Sequence, residues 1–162
     1  MEEALYILEK GFWAGIAALG FGVLFNVPQR TLWAIAWIGA LGSFVKFVLL
    51  EVDVNIIIAS LVGASLVGIV SIPLAHEIHS PPLIFSIPAV IPMVPGALAY
   101  QMMIGLMKIA VHTTETGMEV VLTDTFQSAM KVTFILLSLA VGVAVPMLVT
   151  RKESAKRIRI KI

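Results

Sequence analysis

The chain has 162 residues, of which 59% are hydrophobic and 13% are charged, and its formal net charge is +1. A soluble domain of this length has too much surface for its volume to bury so large an apolar fraction. The composition therefore excludes that class and indicates an all-α polytopic membrane protein. The chain has no cysteine, which excludes disulfides, thiolate metal sites and a cysteine nucleophile.

Five hydrophobic segments approach the roughly 20 residues that a membrane-spanning helix needs. The first three are residues 5–25, 31–50 and 56–75. Asn26 lies in the turn between the first two, where we expect it to cap the second helix. Lys46 is the only charge inside the second segment. It is interpreted either as a lysine that snorkels to the interface or as a fixed cation for an anionic substrate group.

A proline–glycine motif interrupts the fourth segment, residues 83–109. Residues 87–100 read I-P-A-V-I-P-M-V-P-G-A-L-A-Y. Each proline removes a backbone donor and clashes with the preceding turn, so we expect a broken helix whose second half begins at Gly96. Freed backbone groups persist in a membrane only where they are packed in protein or face water. Discontinuous helices of this kind form the substrate sites of many secondary transporters, although a proline-kinked packing helix is the alternative.

The fifth segment, residues 126–149, follows the longest polar loop, residues 112–125, and precedes a basic tail. The tail, residues 151–162, carries six basic residues and one acid and is interpreted as an anchor against anionic lipid. The positive-inside rule predicts a multi-pass protein of the cell inner membrane, with its N-terminus outside and its C-terminus in the cytoplasm. Residues 1–150 are thus predicted to form a five-helix transmembrane domain.

Two histidines and a glutamate, His76, Glu77 and His79, suggest a metal site at first sight. Their spacing is not H-E-x-x-H and a third ligand is missing, so they are interpreted as part of an interfacial loop. No serine nucleophile has a general base at a spacing typical of a catalytic pair, and no phosphate-binding glycine loop is present. We therefore expect no enzyme activity, no metal, no cofactor and no nucleic-acid partner, and we expect transport to be driven by an ion gradient.

The odd number of predicted crossings bears on assembly. A second five-helix unit inserted in the opposite orientation would complete an inverted-repeat transporter, whose site lies at the repeat interface. The chain contains no clear second repeat. The missing half is therefore expected to be another polypeptide or another copy of this chain, so a homo-oligomer stays open.

Two stretches of the chain resemble the threonine/serine exporter family. They are G-F-G-V-L-F-N-V-P-Q-R, residues 20–30, and the proline–glycine motif of residues 87–100. The match is to the shorter, C-terminal half of that family, which also occurs as a separate small subunit, and it extends over about residues 11–149. The resemblance implies a larger membrane partner and the efflux of small hydroxyl amino acids or, in some members, dicarboxylates. The tail after residue 151 is not part of the shared pattern.

Both substrate classes carry a carboxylate, which the free N–H groups and partial positive charge of a half-helix N-terminus can bind. We expect that N-terminus at residues 95–97, with Tyr100 and Gln101 within reach of a substrate hydroxyl or amine. Arg30, expected at the membrane boundary, is a second candidate cation. The predicted substrate-binding residues are Asn26, Arg30, Lys46, Pro92, Pro95, Gly96, Tyr100 and Gln101. The predicted function is a subunit of a secondary-active exporter; the alternative is an accessory or scaffold subunit without its own substrate site.

Overall fold

A computed structural model describes residues 2–111 and 118–150, with side chains from residue 5 onward. The elements in chain order are α1 (Glu2–Leu24), α2 (Gln29–Glu51), α3 (Ile56–Ile78), α4 (Pro82–Val90), a 3-10 turn (Ile91–Met93), α5 (Gly96–Val111) and α6 (Met118–Thr150). Four helices, α1, α2, α3 and α6, are long and apolar enough to cross a membrane. The bent pair around the 3-10 turn gives a fifth span if it counts as one. The predicted all-α polytopic membrane fold with a broken fourth segment is confirmed.

Two local predictions are wrong. Asn26 does not cap α2: it has a left-handed φ of 54°, its N–H donates to Val23 O, and no side chain caps the start of α2. Asparagine tolerates the left-handed conformation that ends many helices, so Asn26 terminates α1 instead.

The predicted loop 112–125 is also too long, because residues 118–125 are the first turns of α6. Residues 112–117 and the basic tail 151–162 lie outside the described residues.

Glycines set the spacing of the bundle around α2, which packs against α1, α3 and α4. A Cβ added at Gly15 of α1 would lie 2.9 Å from a carbonyl oxygen of α2. One added at Gly63 of α3 would lie 2.7 Å from the carbonyl oxygen of Gly42, and one at Gly142 of α6 would lie 2.9 Å from that of Leu61. Because only glycine fits these contacts, the helix backbones approach closely, as small-residue seams allow in lipid.

Helix α6 is too long to lie entirely within one crossing. Its 33 residues extend roughly 50 Å at 1.5 Å per residue, whereas the hydrocarbon core is about 30 Å thick. The second half packs beside α3, with Gly142 against Ala64. The first half packs against α5, with Thr125 against Gly105. The paired segments, residues 96–111 and 118–131, are called the α5–α6 hairpin below.

The α5–α6 hairpin extends past the start of α3. Helices α3 and α6 run in the same direction, because the contact of Ala64 with Gly142 is followed by that of Gly68 with Val143. Ile56, the first residue of α3, is therefore level with about residue 134 of α6 at equal rise per residue. The part of α6 before that residue projects beyond the turn between α2 and α3.

The start of α3 offers a test of local stability. The Asn55 side chain accepts a hydrogen bond from the Ile57 N–H at 2.9 Å and so caps the helix. We expect Asn55→Ala to lower the unfolding free energy by about 0.5–2 kcal/mol, measured as a lower apparent Tm in detergent. Asn55→Ser keeps a capping oxygen and should stay near the wild type; equal stability of both variants would contradict the capping role.

Candidate functional site

The fourth segment breaks where the prolines predict. Pro88 lies inside α4, whereas Pro92 lies in the 3-10 turn and Pro95 directly precedes α5. Val94 between them is extended, with φ −62° and ψ 133°, and the two helical parts are bent by 60°. The prediction that the second half-helix begins at Gly96 is confirmed. The Gly96 N–H donates to Val94 O at 2.9 Å, so it does not continue the 3-10 ladder by bonding to Met93 O.

Lys46 binds the carbonyl oxygen that this break frees. Its Nζ donates to Met93 O at 2.7 Å across the bundle, and the residue is only 6% exposed. The snorkelling interpretation of Lys46 is therefore wrong, since the side chain turns into the bundle rather than out to the interface. A charged side chain buried in a membrane span is costly and marks a functional site by default. The hydrogen bond to Met93 O offsets part of that cost, because bonds to charged groups are among the strongest.

The crossing of α2 and α3 holds this contact in place. A Cβ at Gly63 would lie 2.5 Å from Met93 Cε and 3.4 Å from Lys46 Cβ, and one at Gly42 would lie 3.6 Å from Met93 Sδ. Met93 is therefore wedged between two glycines of the crossing, and it is almost fully buried. The close approach of the α2 and α3 backbones therefore positions both Lys46 and the break.

Three buried hydroxyl groups are left without hydrogen-bond partners among the described residues: those of Ser43, Ser60 and Ser86. Ser43 follows Gly42 directly on α2, and Ser60 lies one turn before Gly63 on α3, so both belong to the helix segments that meet at the break. Buried polar groups without partners are uncommon in native structures. Ser43 and Ser60 thus place polar groups on the two helices whose crossing holds the Lys46–Met93 contact.

The predicted site residues fall into three places. Lys46, Pro92 and Pro95 lie at the break, and Gly96 beside them faces open space, with nothing within 4 Å of an added Cβ. Tyr100 is 68% exposed. Gln101 lies further along α5, in a cavity between α5 and α6.

Asn26 and Arg30 are exposed at the opposite end of α2. Arg30 is about 24 Å from Lys46 along the helix axis, at 1.5 Å per residue. The structure therefore does not bring these two residues to the break.

A polar cavity of about 470 Å³ between α5 and the first half of α6 was not predicted from the sequence. It is called the α5–α6 groove. Its polar lining residues are Gln101, Lys108, Asp124, Thr125, Gln127, Ser128 and Lys131. The sequence signal was the helical spacing of these residues, which places them on one face of each helix; it was missed because residues 118–125 were assigned to a loop.

A second cavity, of about 810 Å³, lies where the ends of α3 and α6 meet the start of α4. Its lining is mostly apolar and includes His76, whose Nδ1 lies 2.8 Å from Ile72 O of the same helix. Among the described residues, no three histidine or acidic side chains come together as metal ligands. This cavity therefore offers little chemistry for holding a charged solute.

Comparison with known proteins places the chain in a family. A model of the family described as threonine/serine exporter, ThrE, matches residues 10–149. An uncharacterized protein of Haemophilus influenzae is 34% identical over 105 residues, which are 65% of this chain and 35% of the relative. The aligned part is thus about a third of the relative's length. No solved structure matches the chain. The match over most of the chain shows that it belongs to the threonine/serine exporter family.

Proposed function

We propose that the chain is one subunit of a secondary-active exporter of small carboxylate-bearing metabolites, either threonine- and serine-type amino acids or dicarboxylates. The observation that carries the proposal is the broken fourth segment, where a buried lysine binds a freed backbone carbonyl at 2.7 Å. A buried cation in a membrane-spanning helix is suited to an anionic group. The membership of an exporter family supports the direction of transport.

The break can bind and release a carboxylate by exchanging hydrogen bonds. The Lys46 ammonium donates to Met93 O when no solute is bound. A solute carboxylate is a stronger acceptor than a neutral carbonyl, so it would take the ammonium and release Met93 O. The first turn of α5, in which the Gly96 N–H already donates to Val94 O, presents its remaining N–H groups and a partial positive charge to the same solute. Solute binding would then loosen the contact that holds the bent fourth segment against α2, which gives the binding step a conformational consequence.

A second five-helix subunit completes the proposed transporter. An odd number of crossings fits an inverted-repeat plan in which the two halves enter with opposite orientation. The aligned part is only 35% of the Haemophilus influenzae relative, so that protein has ample length for another membrane unit. Gly96 facing open space leaves the substrate end of α5 available to such a partner.

The proposed orientation in the cell membrane follows from the charges of the turns. Glu51 ends α2 and Asp53 lies in the turn between α2 and α3, whereas Arg30 lies in the first turn of α2. The positive-inside rule then places the α2–α3 turn outside and Arg30 on the cytoplasmic side. The basic tail lies with Arg30, and the N-terminus is outside. An ion gradient supplies the driving force, and any proton-carrying acid within the membrane belongs to the partner.

Reconstitution tests the two-subunit proposal. We expect proteoliposomes with this chain alone to show little carboxylate flux, and those with the larger subunit added to show flux that depends on an ion gradient. Flux at the full rate from this chain alone would refute the need for a partner. Absence of flux with both subunits present would refute the exporter.

The scaffold alternative is favoured by one observation, the dense glycine seams between the helices. It predicts that Gly96→Leu and Tyr100→Phe leave transport intact. A leucine at Gly96 has free space around its Cβ, so the fold should tolerate it. Loss of flux in Gly96→Leu, with normal assembly and normal thermal stability, would therefore exclude the hypothesis of a scaffold subunit without its own substrate site.

A further inference from the structure

The surface of the α5–α6 hairpin is apolar where a hairpin in water would be polar. On α5, the exposed side chains Tyr100, Met103, Met107 and Val111 form one stripe, at the spacing of a single helix face. On α6, Phe126 is likewise 68% exposed. Such a surface is suited to lipid or to a protein partner rather than to water.

Most charged and amide side chains of the α5–α6 hairpin lie along the open groove between its two helices, whereas Glu119 lies outside the groove. Both the charged and the amide side chain of α5, Lys108 and Gln101, line the groove. Asp124, Gln127 and Lys131 line it from α6. A polar groove beside an exposed apolar face is suited to a segment whose apolar face contacts a protein partner while its groove stays open to polar solutes.

The charges in the groove are not used by the protein itself. Among the hydrogen bonds of the described residues, none involves Lys108, Asp124 or Lys131, and the nearby hydroxyl of Thr125 donates to Val121 O of its own helix. Two ammonium groups and one carboxylate therefore face a cavity of about 470 Å³. This volume lies within the range of about 300–1,000 Å³ of small-molecule sites.

We propose that the α5–α6 groove is a second binding site for the carboxylate of the transported solute, with Lys108 and Lys131 as its cations. Asp124 would hold the ammonium group of an amino acid and disfavour a second carboxylate. The proposal rests on the proposed exporter function. Gln101 lies little more than one turn after the start of α5, and the hairpin projects beyond the α2–α3 turn. The groove therefore lies beyond the outer end of α2, where it would receive the solute after the solute leaves Lys46.

Solute binding to the purified two-subunit complex tests the lysines. We expect Lys108→Gln combined with Lys131→Gln to weaken the binding of radiolabelled threonine and of a four-carbon dicarboxylate by about tenfold or more, since hydrogen bonds to charged groups are lost. Thermal stability should stay unchanged, because neither lysine bonds to the protein. Lys10→Gln on α1, outside the groove, is the matched control. Affinities of the double variant within about twofold of wild type would overturn the groove site.

Asp124→Asn distinguishes the two solute classes. We expect it to weaken threonine binding, because the partner of the ammonium group is lost, and to strengthen dicarboxylate binding, because a like charge is removed. Changes of the same sign for both solutes would overturn the assigned role of Asp124. A wild-type complex that binds neither solute would overturn the exporter function together with the groove. A wild-type complex that binds and transports, beside a double lysine variant that does the same, would overturn the groove alone.

Discussion

Replacing Lys46 with methionine is expected to abolish solute flux and to lower the stability of the subunit. The variant removes the only donor described for Met93 O, which is held at 2.7 Å from Nζ in a buried crossing. A buried acceptor left without a partner costs about 1–3 kcal/mol. The variant also removes the cation proposed to bind the solute carboxylate. The measurements are gradient-driven flux with the larger subunit and apparent Tm in detergent.

Two further variants separate the charge of Lys46 from its place in the fold. Lys10→Met makes the same replacement at an exposed position of α1, where Lys10 lies over the Tyr6 ring at 5.1 Å, and it should change neither flux nor Tm. Lys46→Arg keeps both the charge and the hydrogen-bond donors, so it should retain more flux than Lys46→Met. Wild-type flux from Lys46→Met would show that the buried ammonium has no part in transport.

The broad fold could be predicted because membrane burial acts on short stretches of sequence. Hydropathy and length are sufficient to identify the spanning helices, since a helix satisfies its own backbone in lipid. The break at residues 92–96 could also be predicted, because the missing N–H of proline is a local property. The role of Asn26 was misassigned because asparagine suits both the start of one helix and the end of another.

The candidate site could be predicted only in part, since it depends on contacts between helices. Lys46 is near one end of its segment, where snorkelling is an equally good reading of the sequence; the crossing of Gly42 with Gly63 decides that it turns inward. The α5–α6 groove depends on the contact between Gly105 and Thr125. That contact packs residues 118–125, which are rich in polar side chains, against α5 as the first turns of α6. No local rule identifies either arrangement.

A single added methyl group at Gly63 is expected to destabilise the bundle at its centre. The new Cβ of Gly63→Ala would lie 2.7 Å from the Gly42 carbonyl oxygen and 2.5 Å from Met93 Cε. Overpacking of this kind costs about 1–3 kcal/mol, and separation of α2 from α3 would also lengthen the Lys46–Met93 contact. We therefore expect a lower unfolding free energy in mixed micelles and reduced flux. Gly20→Ala is the matched control, because nothing lies within 4 Å of its added Cβ.

A double-mutant cycle identifies which neighbour of Gly63 resists the methyl group. Met93→Ala removes the flexible side chain but leaves the Gly42 carbonyl in place, and a backbone atom in a packed crossing cannot move without shifting its helix. We therefore expect the coupling energy between Gly63→Ala and Met93→Ala to be smaller than the loss of unfolding free energy caused by Gly63→Ala alone. A coupling energy equal to the whole loss caused by Gly63→Ala would mean that the α2 and α3 backbones are not in close contact. Stability of Gly63→Ala equal to that of Gly20→Ala would contradict the crossing that places Lys46 at the break.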